Sequence, residues 1–310
     1  MKIAFVFPGQ GSQAVGMLDS FAECRPAMAV VRRADAALGE PLSALIAAGP
    51  ADELALTVNT QPALLVTSLA IYAAWRDAGG APAAVMAGHS LGEYSALVAA
   101  GALALEDAVR LVRFRAQAMQ EAVPVGSGSM AAILGLGDAQ VQAACAEAAQ
   151  GEVVEAVNFN APAQVVIAGH KAAVERACEI ARRLGAKRAL PLAVSAPFHC
   201  SLLAPAAARL AERLAQTAIA APQVPVINNI DVRAETDPDR IRDALARQAA
   251  APVQWARIVA QMAADGVSHL VECGPGKVLS GLARRIAPEV EALSIFDLAS
   301  LRQVHERLSR

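Results

Sequence analysis

Short apolar runs that alternate with long helical stretches are the feature that most constrains the fold of this chain. Four runs are typical of buried strands, and they cover residues 3–7, 84–87, 225–228 and 269–273. Strands that alternate with helices indicate a parallel sheet covered by helices. Hydrophobic residues make up 55% of the chain but aromatic residues only 4%, so the core must consist mainly of Ala, Leu and Val. The sequence therefore predicts a protein of the α/β class.

The segment from residue 126 to residue 195 follows a different order of elements. Its pattern predicts strands at 130–136, 153–159, 163–169 and 186–192, with helices at 138–149 and 171–184. The order β-α-β-β-α-β is that of a ferredoxin-like unit. We therefore expect a small ferredoxin-like subdomain at residues 126–195, inserted into a large α/β domain that consists of residues 1–125 and 196–310.

The longest apolar stretch, residues 63–75, is expected to be a buried helix. It falls well below the ~20 residues that a membrane-spanning helix requires. Thr60, Gln61 and Pro62 precede it and are typical of a helix start with proline in the first turn. Gly79 and Gly80 are expected to end this helix.

Composition and charge argue against several classes of function. The chain of 310 residues carries 27 basic and 29 acidic side chains, a net charge of −2, so neither nucleic acid nor a membrane surface is an expected partner. The apolar run at residues 3–7 is too short for a signal peptide. Five cysteines are scattered without a C-x-x-C pair, which predicts a reduced, cytoplasmic protein without a structural metal. Nothing in the sequence indicates an oligomer, and we expect a monomer.

The stretch "VMAGHSLGEY" places Ser90 between two glycines directly after a predicted strand. The pattern G-x-S-x-G is that of a nucleophile elbow, in which a sharp strand-to-helix turn holds a serine hydroxyl out at the end of a sheet. Gly88 and Gly92 leave room for such a turn, because side chains there would collide with neighbouring backbone. The same stretch also suits an ordinary turn, so the assignment depends on catalytic partners.

A catalytic serine needs a base within hydrogen-bond reach, and this base is usually a histidine. Among five histidines, His199 is the best candidate, since it lies in a Pro-containing loop where the chain returns from the inserted segment. It could equally be a loop histidine that caps the following helix. His89 is adjacent to Ser90, but on an elbow its side chain should point away from the hydroxyl. No Asp or Glu occupies the usual strand-end position between Ser90 and His199, so the acid lies elsewhere or a neutral acceptor orients the imidazole.

Six sequence motifs follow one another along the chain: "FVFPGQGSQAVGM", "GHSLGEYSALVAAG", "RAQAMQEAVP", "SAPFHC", "RQAAAPVQW" and "VECGPGKVL". Together and in this order they resemble the malonyl-CoA:acyl carrier protein transacylases of fatty acid synthesis. The resemblance runs from residue 3 to beyond residue 280 and implies an α/β-hydrolase-like parallel-sheet domain with an inserted ferredoxin-like subdomain. It also implies transfer of a malonyl group from malonyl-CoA to the phosphopantetheine thiol of acyl carrier protein, without a metal or cofactor.

The resemblance implies roles for individual residues of this chain. Ser90 matches the nucleophile, His199 the base, and Gln248 the residue whose main-chain carbonyl orients the imidazole. Gln10 and Leu91 match the residues whose N–H groups form the oxyanion hole. Gly9 and Gly11 allow the loop to bring a main-chain donor close, and Leu91 begins a predicted helix whose N-terminus favours negative charge.

Arg115 and Phe198 match residues that select the acyl group. A guanidinium such as that of Arg115 can hold the free carboxylate of a malonyl group through two parallel N–H bonds. Phe198 precedes the base, where a bulky ring could crowd the α-carbon and disfavour methylmalonyl.

Three alternative functions stay open from the sequence. An acyltransferase of a polyketide or malonate decarboxylase system would share the same chemistry. A serine thioesterase or esterase would release the acyl group to water. A non-catalytic module that docks carrier protein would not need Ser90, His199 and Gln10 together.

Overall fold

The computed structural model describes residues 1–124 and 126–309, and its strands form two separate sheets. The strands are β1 (Ile3–Phe7), β2 (Val85–Gly88), β3 (Gly128–Leu134), β4 (Val154–Ala161), β5 (Gln164–His170), β6 (Arg188–Pro191), β7 (Val226–Ile227), β8 (His269–Cys273) and β9 (Glu291–Ile295). The helices are α1 (Arg25–Leu38), α2 (Leu42–Ala48), α3 (Ala51–Ala55), α4 (Thr57–Asp77), α5 (Gly92–Ala99), α6 (Leu105–Glu121), α7 (Asp138–Ala149), α8 (Lys171–Arg183), α9 (Ala204–Ala215), α10 (Pro238–Gln248), α11 (Trp255–Ala264), α12 (Val278–Ile286) and α13 (Leu298–Leu308).

The larger sheet is parallel and has the order β7-β2-β1-β8-β9. Side chains of β1 alternate between its two faces: Phe5 and Phe7 join the core cluster that includes α4, and Ala4 and Val6 join the cluster that includes α11 and α12. Helices thus cover both faces, which confirms the predicted α/β class. Strand β9 was not predicted, because its sequence EALSI is polar at two positions and only two of its residues are fully buried.

The smaller sheet is antiparallel and has the order β4-β5-β3-β6. Together with α7 and α8 it gives the β-α-β-β-α-β order that defines the predicted ferredoxin-like unit. The four strands and the two helices share a hydrophobic core of their own. They lie within the predicted range 126–195, but the predicted boundary at residue 125 lies outside the described residues, and the division into domains stays a prediction.

Helix α4 differs from the sequence prediction at its start. It begins at Thr57 rather than at Thr60, so Pro62 lies inside the helix. The extra turn forms because the Leu56 carbonyl accepts hydrogen bonds from the N–H groups of Asn59 and Thr60, both at 2.8 Å. Pro62 has no N–H and cannot close the bond to the carbonyl four residues before it. The helix is largely buried, as predicted, and no helix in the described part of the chain has the length and apolar character to cross a membrane.

The loops that follow the parallel strands meet at one edge of the larger sheet, because all its strands point the same way. The smaller sheet adjoins this edge through β4. The Phe159 N–H donates to the Val253 carbonyl at 3.0 Å, and the Val253 N–H donates to the Val157 carbonyl at 2.9 Å. A pocket between the two sheets therefore opens at the strand ends.

Candidate active site

Ser90 lies directly after β2 on a tight turn with φ of +52°, in the left-handed region that few residues other than glycine adopt. A Cβ atom at Gly88 would lie 1.8 Å from the carbonyl carbon of Gly92. A Cβ atom at Gly92 would lie 2.0 Å from the Phe7 carbonyl oxygen. Both glycines are therefore required by the close approach of β1, β2 and α5, which is the geometry of a nucleophile elbow.

His199 brings its imidazole to the Ser90 hydroxyl. The distance from Ser90 Oγ to His199 Nε2 is 2.7 Å, and His199 Nδ1 lies 2.8 Å from the main-chain oxygen of Gln248. A carbonyl oxygen can only accept, so Nδ1 must carry the proton, and Nε2 of a neutral ring is left to accept the serine proton. The imidazole is thus oriented by a neutral acceptor, which was one of the two possibilities that the sequence left open.

His199 is held in its neutral form. The residue is buried, and its φ of +66° shows that the loop fixes it in an unusual backbone conformation. Burial and, next, the positive charge of Arg115 lower the pKa of His199 to about 3, against the opposing effect of the Gln248 carbonyl. A neutral imidazole can take up the hydroxyl proton, whereas an imidazolium cannot.

Arg115 projects from α6 into the same site and is only 2% exposed. Its Nη1 donates to Gln61 Oε1 at 2.6 Å, and its Nη2 donates to Gln248 Oε1 at 3.0 Å and to Ser90 Oγ at 3.2 Å. The guanidinium also lies 5.5 Å from the centre of the Tyr94 ring. Within the described residues no carboxylate forms an ion pair with Arg115, so a buried cation beside the nucleophile has neutral partners only.

Gln10 and Leu91 line the pocket beside Ser90. The loop of Gln10 passes close to the elbow, since a Cβ atom at Gly9 would lie 2.6 Å from the His89 carbonyl oxygen. Leu91 immediately precedes α5, which begins at Gly92. Among residues 1–124 and 126–309, neither the Gln10 N–H nor the Leu91 N–H donates a hydrogen bond.

Both sheets contribute to the walls of the pocket. Phe198 lies against it and is 8% exposed, next to apolar side chains of the smaller sheet such as Met130 and Val166. His89 Nε2 lies 2.8 Å from Asn160 Oδ1 on β4, so its side chain turns away from the Ser90 hydroxyl, as expected. This hydrogen bond joins the elbow to the smaller sheet.

Four polar residues of the site were not found from the sequence: Gln61, Glu93, Asn160 and Asn229. Glu93 lies in the first turn of α5, and Asn229 follows β7 at the same sheet edge as Ser90. The signal that could have found Glu93 and Asn229 is a polar residue shortly after a predicted strand or elbow, where the ends of parallel strands meet. Gln61 lies inside α4 and Asn160 inside β4, and neither position carries this signal. No grouping of three or more His, Cys, Asp or Glu side chains that could hold a metal occurs in the described part of the chain.

A serine on a strand-to-helix elbow, a neutral histidine at hydrogen-bond distance and a buried arginine beside them define a serine-dependent acyl-transfer enzyme. Comparisons with known proteins agree with this class. The sequence model of the acyl transferase domain family matches residues 4–296, and the chain belongs to this family, within the malonyl CoA-acyl carrier protein transacylases.

Individual relatives are similar over nearly the whole chain. The malonyl CoA-acyl carrier protein transacylase of Escherichia coli (strain K12) is 58% identical over 295 residues, which cover 95% of this chain and 96% of that protein. The crystal structure of an acyl-carrier-protein S-malonyltransferase from Burkholderia pseudomallei 1710b is 61% identical, with a TM-score of 0.97 over 99% of this chain and 100% of that one. A malonyl-transacylase solved in complex with a type II polyketide acyl-carrier protein is 49% identical, with a TM-score of 0.97 over 99% and 100% of the two chains.

Proposed function

We propose that this enzyme transfers the malonyl group from malonyl-CoA to the phosphopantetheine thiol of an acyl carrier protein, through an ester on Ser90, and so supplies fatty acid biosynthesis. The observation that carries the proposal is the buried guanidinium of Arg115, 3.2 Å from Ser90 Oγ and without a carboxylate partner among the described residues. A malonyl ester has its free carboxylate one methylene away from the ester carbonyl. That carboxylate would therefore lie beside Arg115 once the acyl group is on Ser90.

The first half-reaction acylates the serine. His199 Nε2 takes the proton of Ser90 Oγ, which lies 2.7 Å away, and the oxygen attacks the thioester carbonyl of malonyl-CoA. The N–H groups of Gln10 and Leu91 stabilise the negative oxygen that develops. As the C–S bond breaks, the CoA sulfur leaves with the proton from His199, and the malonyl group stays on Ser90.

In the second half-reaction the thiol of the carrier protein is the nucleophile and Ser90 Oγ is the leaving group. The phosphopantetheine thiol of the carrier protein gives its proton to His199 and attacks the ester carbonyl. The new C–S bond forms as the bond to Ser90 Oγ breaks, and the serine oxygen regains its proton from His199. The Gln248 carbonyl, 2.8 Å from His199 Nδ1, keeps the imidazole in the required tautomer throughout.

Arg115 and Phe198 are proposed to select the acyl group. Two parallel N–H bonds from a guanidinium to the malonyl carboxylate distinguish it from acetyl, which has no such group. Phe198, which lines the pocket next to His199, would crowd a methyl group on the α-carbon. Both half-reactions exchange one acyl linkage for another with His199 as the base and main-chain N–H groups at the oxyanion, so the proposal includes no metal and no cofactor. It places the reaction in the cytoplasm, in keeping with five free cysteines.

One specific observation favours a polyketide acyl carrier protein as a second candidate acceptor of the malonyl group. The similar malonyl-transacylase that was solved with a polyketide acyl-carrier protein shows that a close structural relative binds such a carrier. Delivery of malonyl groups to a polyketide carrier is therefore the second candidate for this chain. Its chemistry on Ser90 would be the same.

The test uses the purified enzyme with radiolabelled malonyl-CoA, methylmalonyl-CoA and acetyl-CoA, with and without phosphopantetheinylated carrier proteins of both kinds. We expect a stoichiometric burst of CoA without carrier, label on Ser90, and turnover only when a carrier is added. Steady CoA release without any carrier would instead identify a thioesterase. Label that persists in Ser90→Ala would contradict the assignment of the nucleophile.

A further inference from the structure

Asn229 supports the elbow from the loop after β7. Its Oδ1 accepts a hydrogen bond from the Ser90 N–H at 2.6 Å, and its Nδ2 donates to the Gly88 carbonyl at 2.6 Å. The two contacts lie on either side of His89, so one amide fixes the backbone at both ends of the strained turn. Because Ser90 has a positive φ, this support opposes relaxation of the turn to a more ordinary conformation.

Gln248 contacts three other members of the site. Its main-chain oxygen accepts from His199 Nδ1. Its side-chain Oε1 accepts from Arg115 Nη2 at 3.0 Å, and its Nε2 donates to the Ser90 main-chain oxygen at 3.1 Å. The orientation of Gln248 is therefore linked to the positions of both the base and the nucleophile.

Glu93 joins these two supports. It is 3% exposed, and its Oε2 accepts from the Asn229 N–H at 2.9 Å and from Gln248 Nε2 at 2.8 Å. One carboxylate oxygen thus holds the residue that supports Ser90 and the residue that orients His199. The Glu93 main-chain N–H donates to the Ser90 carbonyl at 3.1 Å, a contact that any residue at this position keeps. The Glu93 carboxyl group forms no hydrogen bond with Ser90 or His199 in the described structure, so the side chain acts on the reaction only through its two partners.

We propose that Glu93 is a positioning residue for acyl transfer: its buried carboxylate oxygen holds Asn229 and Gln248 and thereby keeps Ser90 and His199 at reacting distance. This inference rests on the proposed function, because it takes Ser90 as nucleophile and His199 as base. The carboxyl group is needed for its oxygen rather than for its charge, since both hydrogen bonds end on the same oxygen. Burial raises the pKa of Glu93 to about 7, and a protonated carboxyl still offers that oxygen as an acceptor.

Three variants distinguish a positioning role of Glu93 from an effect of its charge and from an effect on protein stability alone. Glu93→Gln keeps an acceptor oxygen at the same reach, and Glu93→Ala removes it. Glu272→Ala is the matched control, because Glu272 is also a fully buried carboxylate that accepts N–H bonds, from Leu279 at 3.0 Å and from Ser280 at 2.8 Å, but contacts no residue of the site.

Two rate constants and the thermal stability are measured for each variant. The first rate constant is that of Ser90 labelling by diisopropyl fluorophosphate, a reagent for activated serines. In this reaction the Ser90 oxygen forms a bond to phosphorus, fluoride leaves, and the proton passes to His199. The second rate is single-turnover acylation by malonyl-CoA. Thermal unfolding and titration of reactive sites give the folded fraction, so that both rate constants are expressed per folded molecule.

We expect Glu93→Ala to lower both rate constants by about 10-fold to 100-fold, as small displacements of reacting groups do. Glu93→Gln should restore both to within about threefold of the unchanged enzyme, since it keeps both acceptor contacts. Glu272→Ala should lower the melting temperature and leave the rate constants per folded molecule unchanged. Unchanged rates in Glu93→Ala, or Glu93→Gln as slow as Glu93→Ala, would each overturn the proposal.

The two reagents keep this inference separate from the proposed function. Diisopropyl fluorophosphate carries no carboxylate and no CoA, so its rate reports the Ser90–His199 pair whatever the natural acyl donor. If the unchanged enzyme reacts with the fluorophosphate but not with malonyl-CoA, the proposed function fails while the role of Glu93 is still decided by the variants. If malonyl-CoA reacts and Glu93→Ala is as fast as the unchanged enzyme with both reagents, only the role of Glu93 fails.

Discussion

Arg115 and Glu93, a buried cation and a buried carboxyl group, are joined through a single amide rather than in direct contact. Arg115 Nη2 donates to Gln248 Oε1 at 3.0 Å, and Gln248 Nε2 donates to Glu93 Oε2 at 2.8 Å. A direct ion pair would occupy the guanidinium with a carboxylate of the protein itself. The intervening amide leaves Arg115 able to bind a carboxylate of the substrate.

Arg115→Gln is expected to change acyl selectivity. The loss of a charge-assisted pair of about 1.5–3 kcal/mol should lower kcat/KM for malonyl-CoA by roughly 10-fold to 150-fold, with little effect on the weak reaction with acetyl-CoA. The matched control is Arg113→Gln on the same helix, because Arg113 bonds Asn59 and Glu40 and does not line the pocket. The ratio of the two kcat/KM values is the readout, and an unaltered ratio in Arg115→Gln would assign malonyl recognition to another group.

The same substitution is expected to alter the pH dependence of serine labelling. Burial and Arg115 together lower the pKa of His199 to about 3, so the unchanged enzyme should show no loss of labelling by diisopropyl fluorophosphate as pH falls toward 5. Removal of the cation raises the pKa of His199, so the acid limb of Arg115→Gln should lie at higher pH. Glu93, with a pKa of about 7, changes its protonation within the pH range that is scanned, and a repeat in the Glu93→Gln background removes that contribution. An acid limb that stays in place or moves to lower pH contradicts the electrostatic link.

The stability of the fold should depend on pH through Glu93. Its pKa of about 7 in the folded protein lies above the ordinary value of 4.5, so the folded state binds the proton more tightly. Its contribution is therefore fully present below pH 4.5 and lost as pH rises through 7. Glu93→Gln has no such group, so its free energy of unfolding relative to the unchanged enzyme should rise by about 2 kcal/mol between pH 5 and pH 8. Urea unfolding at both pH values measures this, and a constant difference would show that Glu93 is ionised as usual.

Gly92→Ala is expected to disable the elbow. The added Cβ would lie 2.0 Å from the Phe7 carbonyl oxygen, and backbone there cannot move without shifting β1. We expect severe loss of serine labelling together with a lower melting temperature. Gly281→Ala in α12 is the control, since no atom lies within 4 Å of its added Cβ, and this helical change should stabilise the protein by about 0.5–1 kcal/mol. Normal labelling in Gly92→Ala would mean that the turn adapts easily.

The sequence predicts those parts of the fold that short-range patterns determine. Residues 3–7 and 269–273 are strands with the predicted bounds, because each is a short, largely buried run in the interior of the sheet. The edge strand β9 has an irregular burial pattern and gave no such signal. The start of α4 was misplaced because proline is more common in a first turn than inside a helix, and here tertiary packing accepts it.

The candidate site likewise contains residues that the sequence indicates and contacts that it does not. The elbow motif indicates Ser90, and loop position together with the family resemblance indicates His199. Gln248 and Arg115 are indicated by the resemblance alone. The positions of Glu93 and Asn229 after the elbow and after a predicted strand carry a signal, but the hydrogen bond between them joins residues 136 positions apart and no local pattern encodes it. Such contacts exist only once the ends of parallel strands meet at one edge of the sheet.

The separation of the site along the chain has a consequence for the growing polypeptide. Ser90 and His199 are 109 residues apart, and the Gln248 side chain reaches the Ser90 carbonyl across 158 residues. Between Ser90 and Gln248 the chain must complete the smaller sheet and then α10. A ribosome-bound fragment that ends between Ser90 and His199 has neither the histidine nor the carbonyl that orients it, so we expect the hydroxyl to stay unreactive toward cellular thioesters until residue 248 has been synthesised and folded into place.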